Sequence, residues 1–354
     1  MKSITLNNSP IHFINNDYSV MNEYIRDKQP SSIFVIVDDK TLNYCYPYFM
    51  AQVETTSRIE VIEIDSGEEH KNLETCAGIW GALVELDIDR DSCIINLGGG
   101  VITDMGGFIA CTIKRGIDFI HVPTSLLGMV DAAIGGKNGV DIGPIKNQIG
   151  VIQPPIMTII DTYYLQTLPL RELHNGSIEM FKHGLIADRI YWNNLRALKD
   201  FKDDSFASLV YQSVIIKSDI VAADPYEKGT RKALNFGHTL GHAIESFCME
   251  KEEKLTLLHG EAVAIGILLE SYLSTTYEGL SNDALHEIKD WYDSLSIQHN
   301  IVPEDIDEIL QYLKYDKKNV NGDIKFVLLK KIGDFSFNQS IHLQDIKQSF
   351  DLIF

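Results

Sequence analysis

Residues 92–108 read SCIINLGGGVITDMGGF, and the fold of the first half of the chain turns on how this stretch is read. SCIINL is an apolar run of strand length that passes into Gly98-Gly99-Gly100 and then into a segment with helical spacing. Glycines at such a junction let the backbone approach a phosphate closely, and the helix start offers unpaired N–H groups and positive dipole. The strict G-x-G-x-x-G fingerprint fails, because Thr103 stands where the third glycine belongs. A tight turn with close packing is therefore the plain alternative to a nucleotide site. Asp104 and the second pair, Gly106-Gly107, add weight to the nucleotide reading, since a merely packed helix start has little use for so many glycines.

Strand-like runs recur on both sides of this turn. Ser32 to Val37 (SIFVIV) is continuous and apolar, Arg58 to Ile64 (RIEVIEI) alternates with period two, and Phe119 to Val122 (FIHV) is a further short run. Asn72 to Leu86 between them has apolar positions at helical spacing. Strand and helix in alternation predict a mostly parallel sheet with helices on both faces. After Leu168 the texture changes to long helices broken by Gly and Pro, as at Gly176 and Asp224-Pro225, with more helix over 282–313 and one isolated strand, Lys325 to Leu329. The expected organisation is an α/β nucleotide-binding domain over 1–167, then a mostly α-helical domain over 168–354.

At 354 residues the chain exceeds the size at which one core usually stops growing, in keeping with two domains. A formal net charge of -19 argues against nucleic acid or an anionic membrane as a partner. A phosphate can still be bound where lysines and arginines are concentrated locally, so the functional site is expected to be basic although the chain is not. No run approaches the roughly 18 consecutive apolar residues of a membrane span; Ala262 to Leu269 is read as a buried helix. The N-terminus lacks the pattern of a secretory signal. Five scattered cysteines (Cys45, Cys76, Cys93, Cys111, Cys248) form no C-x-x-C pair, which disfavours a disulfide framework or thiolate metal site and favours a reducing cytoplasm.

Residues 123–150, PTSLLGMVDAAIGGKNGVDIGPIKNQIG, are dominated by Pro, Gly and polar residues and read as a long structured loop. Loops of this length in a compact domain are usually functional. Lys137 and Lys146-Asn147, with Asp131, stand in nearly uncharged surroundings, a setting that suits phosphate or carboxylate binding.

The sharpest signal is RKALNFGHTLGHAIESF at 231–247 followed by LLHGEAVAIGILLE at 257–270. His238 and His242 are four apart, hence on one helix face, and His259 begins the next helix. Upstream, Glu179 lies in GSIEMFKHG, taken as a helix N-terminal region with Ser177 as a possible cap. One carboxylate with two imidazoles leaves an open coordination position, the pattern of a catalytic zinc site. The residues alone leave open which three of these four coordinate.

Taken together these stretches resemble the 3-dehydroquinate synthase family of sugar-phosphate cyclases. The resemblance rests on SGEEHKN (66–72), LGGGVITDMGGF (97–108), KRG (114–116), VPTSLLGMVDAAIGGKNGVD (122–141) and KNQIG (146–150). It continues through LPLRELHNGSIEMFKHG, IKSDIVAADPYEKGTRKALNFGHTLGHAIE, HGEAVAIG and DKKNVNGDIKFVLL (316–329). It implies conversion of 3-deoxy-D-arabino-heptulosonate 7-phosphate to 3-dehydroquinate and phosphate in the shikimate route to aromatic amino acids. In that reaction NAD oxidises the substrate transiently, phosphate is eliminated, the hydride returns, and an intramolecular aldol step closes the ring.

By the same resemblance Glu179, His238 and His259 are the ligands of Zn2+ or Co2+, His242 is left as acid/base, and Lys137 and Glu227 are further catalytic residues. Implied substrate contacts are Asp131, Lys137, Lys146, Asn147, Lys182, Lys217, Arg231, Asn235 and Lys317, with Glu227 as a nearby carboxylate. Arg115 resembles an arginine that reaches the phosphate site of a neighbouring subunit, implying a homodimer. Implied NAD contacts are Asp38, Glu68, Lys71, Gly99, Gly100, Asp104, Thr124, Ser125 and Thr167, with Lys137 and Lys146. The chain departs from the common pattern at Ala132-Ala133, Asn138, His183 and the segment from Asp141 to Ile145. A sister cyclase of the 2-deoxy-scyllo-inosose or valiolone type, and a metal-dependent alcohol dehydrogenase, are the alternatives.

Overall fold

A computed structural model describes residues 2–143, 145–203, 205–313 and 324–354. The chain forms two compact units, Met1–Leu173 and His174–Phe354.

The first unit is built on nine strands: β1 (Lys2–Leu6), β2 (Ser9–Ile14), β3 (Ser32–Asp38), β4 (Arg58–Ile64), β5 (Cys93–Gly98), β6 (Asp118–Pro123), β7 (Lys137–Ile142), β8 (Ile145–Ile152) and β9 (Met157–Asp161). Seven of them form one sheet in the order β1-β2-β9-β6-β5-β3-β4, parallel throughout except for the β1–β2 hairpin at its edge. Ile33 to Val37 are all completely buried, so β3 is covered on both faces, and this is why it reads as an unbroken apolar run. The chain lays down β3 and β4, then returns to place β5 on the other side of β3. The order reverses there, and such a switch point leaves a crevice at the carboxyl ends of two strands. Asp38 ends β3 and Gly98 ends β5.

Two expectations for this unit need correction. The segment 123–150 is not an irregular loop: after one wide helical turn at Gly128–Ala132 it forms most of the antiparallel hairpin β7–β8. Its glycines served as loop signals but include a cross-strand pair, Gly139 opposite Gly150, where a side chain would meet the facing backbone. The pair Gly106-Gly107 is explained by packing. A Cβ on Gly106 would lie 2.0 Å from Asn96 Oδ1, and one on Gly107 would lie 1.9 Å from Asn138 Oδ1. Two buried asparagines thus press against the bare backbone of the helix Gly100–Thr112. The N-terminal hairpin, turned by Asn7 and Asn8 with φ of 50° and 65°, and β9 were not anticipated.

The second unit is mostly helical. The helices Leu170–Ala187, His238–Glu250, His259–Tyr277 and Asn282–Ser294 surround one large core, into which Ala262 to Leu269 are wholly sunk. Phe206–Ala223 is long and apolar enough to cross a membrane by length and composition, but half of it is buried inside the unit, as a core helix would be. The strand expected at Lys325 to Leu329 is present as β10 (Lys325–Lys331), and it is not isolated. It pairs antiparallel with β11 (Asp334–Ser340) across a turn in which Gly333 has φ of 91°. Gly176 does not break a helix; it lies within Leu170–Ala187. Glu179 therefore sits mid-helix, and Ser177 donates to His174 O instead of capping.

Candidate functional site

In the second unit the site is assembled from three helices. Leu170–Ala187 carries Glu179 and Lys182, one turn apart on one face; both are buried and in direct contact. His238–Glu250 contributes His238 and His242, and His259–Tyr277 contributes His259 at its first position. The three imidazoles converge, with ring centroids 5.1 to 5.5 Å apart and potential ligand atoms all within 4.8 Å of one another. His238 Nε2 is 3.4 Å and His259 Nε2 3.8 Å from Glu179 Oε1. Glu179 is 0% exposed, and its Oε1 accepts no hydrogen bond among the described residues. A buried carboxylate oxygen without a hydrogen bond, facing two imidazoles, suits a shared cation.

Neighbouring groups fix the orientation of both imidazoles. His238 Nδ1 is 3.1 Å from Phe236 O, and His259 Nδ1 is 3.2 Å from Glu245 Oε2. With each Nδ1–H donated backwards, each Nε2 lone pair points to Glu179, the arrangement in which imidazole binds a metal. Glu245 was not identifiable from sequence, since only the fold brings it beside His259.

A second buried carboxylate, Glu270, was also missed. It accepts Gly237 N at 2.7 Å and Leu240 N at 3.1 Å, capping the His238 helix from the helix that carries His259. The two helices can meet this closely because a Cβ on Gly266 would lie 1.9 Å from Gly237 O, and Gly237 itself has φ of 78°. Asn175 Oδ1 accepts Gly260 N at 2.6 Å and Glu261 Oε2 accepts Leu258 N at 2.8 Å, so the start of the His259 helix is likewise tied down.

Lys182, Lys217 and Arg231 are all buried in this unit. Arg231 Nη1 donates to Pro225 O at 2.7 Å, and Asp224 gathers the amides of Lys228, Gly229 and Arg231 into one loop. On that loop Glu227 adopts φ of 57° and accepts Asn235 Nδ2 at 2.5 Å. Lys317 lies outside the described residues.

In the first unit the expected nucleotide contacts gather at the sheet's switch point. Gly99 precedes the helix Gly100–Thr112, whose N-terminus has no side-chain cap, so its amides are suited to an anion. Thr124 N donates to Gly98 O, and Ser125 Oγ accepts Gly128 N, which shapes the adjoining turn. Thr124 and Thr167 both reach the buried thiol of Cys45, whose pKa burial pushes up to about 11. Asp38 caps the helix Asp39–Tyr44 through Thr41.

An ion network lies beside these residues. Lys71 Nζ is 2.7 Å from Asp104 Oδ2 and 3.7 Å from Glu68 Oε1, which also holds Lys146 Nζ at 3.0 Å. Burial alone would lower the Lys71 ammonium, but Asp104 and then Glu68 outweigh it and hold it above the ordinary lysine value. Burial pushes the Asp104 carboxyl up to about 6, with Lys71 opposing. Asp131 sits in the turn Gly128–Ala132, and Lys137 opens β7 on its exposed side. Lys114, Arg115 and Gly116 all have positive φ, which sets Arg115 on an exposed knuckle after the helix Gly100–Thr112.

Comparison with known proteins gives the family and the fold. A family model described as 3-dehydroquinate synthase N-terminal matches residues 61–175, and one described as 3-dehydroquinate synthase C-terminal matches 176–319. The chain is 38% identical over 342 residues to a 3-dehydroquinate synthase of Parabacteroides distasonis, covering 94% of each chain. Among solved structures it resembles the 2-epi-5-epi-valiolone synthase of Streptomyces hygroscopicus subsp. jinggangensis 5008 with NAD+ and Zn2+ bound (TM-score 0.84, 24% identity, 100% and 98% of the two chains). It also resembles a 2-deoxy-scyllo-inosose synthase complexed with carbaglucose-6-phosphate, NAD+ and Co2+ (TM-score 0.81, 22% identity, 98% of each chain).

Proposed function

The chain belongs to the 3-dehydroquinate synthase family, and from that premise we propose that it works with NAD and one zinc or cobalt ion on 3-deoxy-D-arabino-heptulosonate 7-phosphate, releasing 3-dehydroquinate and phosphate. The observation that carries the metal assignment is Glu179 Oε1, buried and facing two imidazoles whose far nitrogens are already engaged. When bound, NAD supplies a reversible hydride acceptor and the metal a Lewis acid that eases proton loss from an alcohol.

Glu179, His238 and His259 are the metal ligands in this reading, and His242 moves the alcohol proton. Lys137, Lys146, Lys182, Lys217 and Arg231 bind the substrate's carboxylate and phosphate, while Asp131, Asn147 and Asn235 orient its hydroxyls. Glu227 fixes Asn235 through its short hydrogen bond. Holding a flexible acyclic intermediate in a ring-closing shape is where such contacts contribute most to rate. Asp38, Glu68, Lys71, Gly99, Gly100, Asp104, Thr124, Ser125 and Thr167 hold NAD, supported by the uncapped helix start at the sheet's switch point. Arg115 serves the phosphate site of a second subunit, making the enzyme a homodimer. Five free cysteines fit work in the cytoplasm.

Incubation with the heptulosonate phosphate, NAD and zinc tests the whole reading. The expected result is equal amounts of phosphate and 3-dehydroquinate with no net NADH. Stoichiometric NADH, or a different carbocycle from a different sugar phosphate, would assign the chain to a dehydrogenase or a sister cyclase instead.

A further inference from the structure

Asp141, on β7, joins two segments of the first unit. Its backbone N–H donates to Lys71 O at 2.9 Å, and Asn72 and Asp141 form an isolated parallel bridge. Its side-chain Oδ1 accepts the backbone N–H of Asn147 at 2.5 Å. Asn147 has φ of 51°, a left-handed conformation that asparagine tolerates better than most residues, so this irregular point of β8 depends on local hydrogen bonds to hold it. The Asp141 carboxylate is buried, and Lys71 and Lys146 both act on it electrostatically. A second tie runs in parallel, since Glu68 beside Lys71 holds Lys146 Nζ at 3.0 Å. The Glu68–Lys71 loop and the irregular start of β8 at Lys146-Asn147 are therefore fastened by one backbone bridge, one side-chain acceptor and one ion pair.

We infer that Asp141 is a positioning residue that presents Lys146 and Asn147 to the substrate and couples their placement to the loop carrying Glu68 and Lys71. This rests on the reading above, in which Lys146 and Asn147 meet substrate and Lys71 meets NAD. Asp141 itself touches neither ligand. It acts by fixing the left-handed backbone of β8 at Asn147, and any acceptor oxygen at the same place serves that purpose.

The test compares Asp141→Ala and Asp141→Asn in the NAD- and zinc-loaded enzyme, with heptulosonate phosphate as variable substrate and NAD affinity measured separately by calorimetry. Alanine is expected to raise KM at least about tenfold and to weaken NAD binding by a smaller factor, because the misplaced start of β8 binds substrate poorly. Asparagine, whose amide oxygen still accepts the Asn147 N–H, is expected to stay within about threefold of the unsubstituted enzyme on both measures. Alanine with unchanged KM overturns the inference, as does an asparagine variant as impaired as alanine. A variant that only lowers the folded fraction would reduce kcat at constant KM, and that too counts against it. Absence of turnover in the unsubstituted enzyme would instead defeat the functional reading.

Discussion

Glu245 Oε2 lies 3.2 Å from His259 Nδ1, while His259 Nε2 faces Glu179 Oε1 from 3.8 Å. The carboxylate fixes the tautomer and raises the basicity of the imidazole, an effect worth roughly 10–100-fold in metal affinity at comparable sites. Glu245→Ala is expected to weaken zinc binding by about that factor while leaving the fold intact, read by competition with a coloured chelator. His259→Ala should lose the metal altogether. Equal zinc affinity in Glu245→Ala and the unsubstituted protein would show that the contact does not orient His259.

Lys182 and Glu179 are in contact and essentially excluded from solvent. Removing one member of such a pair leaves a buried charge, at a cost of about 3–5 kcal/mol. A bound divalent cation would compensate Glu179 in its place. Lys182→Met should thus destabilise the metal-free protein strongly and the zinc-loaded protein less, giving a larger zinc-induced rise in Tm than in the unsubstituted enzyme. A zinc-induced rise no larger than that of the unsubstituted protein would place the cation away from Glu179.

Much of this architecture was legible in the sequence. Arg58–Ile64 announces itself by alternation, and Ser32–Asp38 by an apolar run that only a strand covered on both faces needs. Glu179, His238, His242 and His259 could be nominated from residue type and spacing, but not ranked. Ranking depends on what stands behind each ring, and Phe236 O and Glu245 reach those positions through backbone geometry and helix packing. The hairpin β7–β8 was hidden because Gly139 and Gly150 look like loop punctuation, although they are the condition for two backbones to pair closely. Gly106-Gly107 misled in the opposite direction, since their spacing resembles a phosphate turn and their use is to admit two asparagines.

That packing gives a prediction of its own. Asn138 Nδ2 donates to Gly136 O and Gln153 O, clamping the base of the hairpin, and its Oδ1 points at Gly107. Gly107→Ala would normally gain about 1 kcal/mol of helix propensity. Here the new methyl would sit 1.9 Å from Asn138 Oδ1, so a net loss of about 1–3 kcal/mol is expected in urea unfolding. Adding Asn138→Ser should recover part of it; strict additivity of the two substitutions would mean that they do not touch.

His121 supplies the pH dependence. It is fully buried on β6 with Nδ1 3.2 Å from Asn96 Nδ2, and burial lowers its pKa to about 3. The unfolded chain binds a proton near pH 6.5 that the folded state refuses until about pH 3. Stability from this group is therefore fully present above about pH 6.5 and is lost as pH falls towards 3, at up to about 1.4 kcal/mol per pH unit. His121→Asn, which cannot titrate, should flatten the acid limb of the unfolding midpoint between about pH 6 and 4 by roughly one proton. An unchanged slope in that variant would mean that the acid sensitivity comes from the carboxylates.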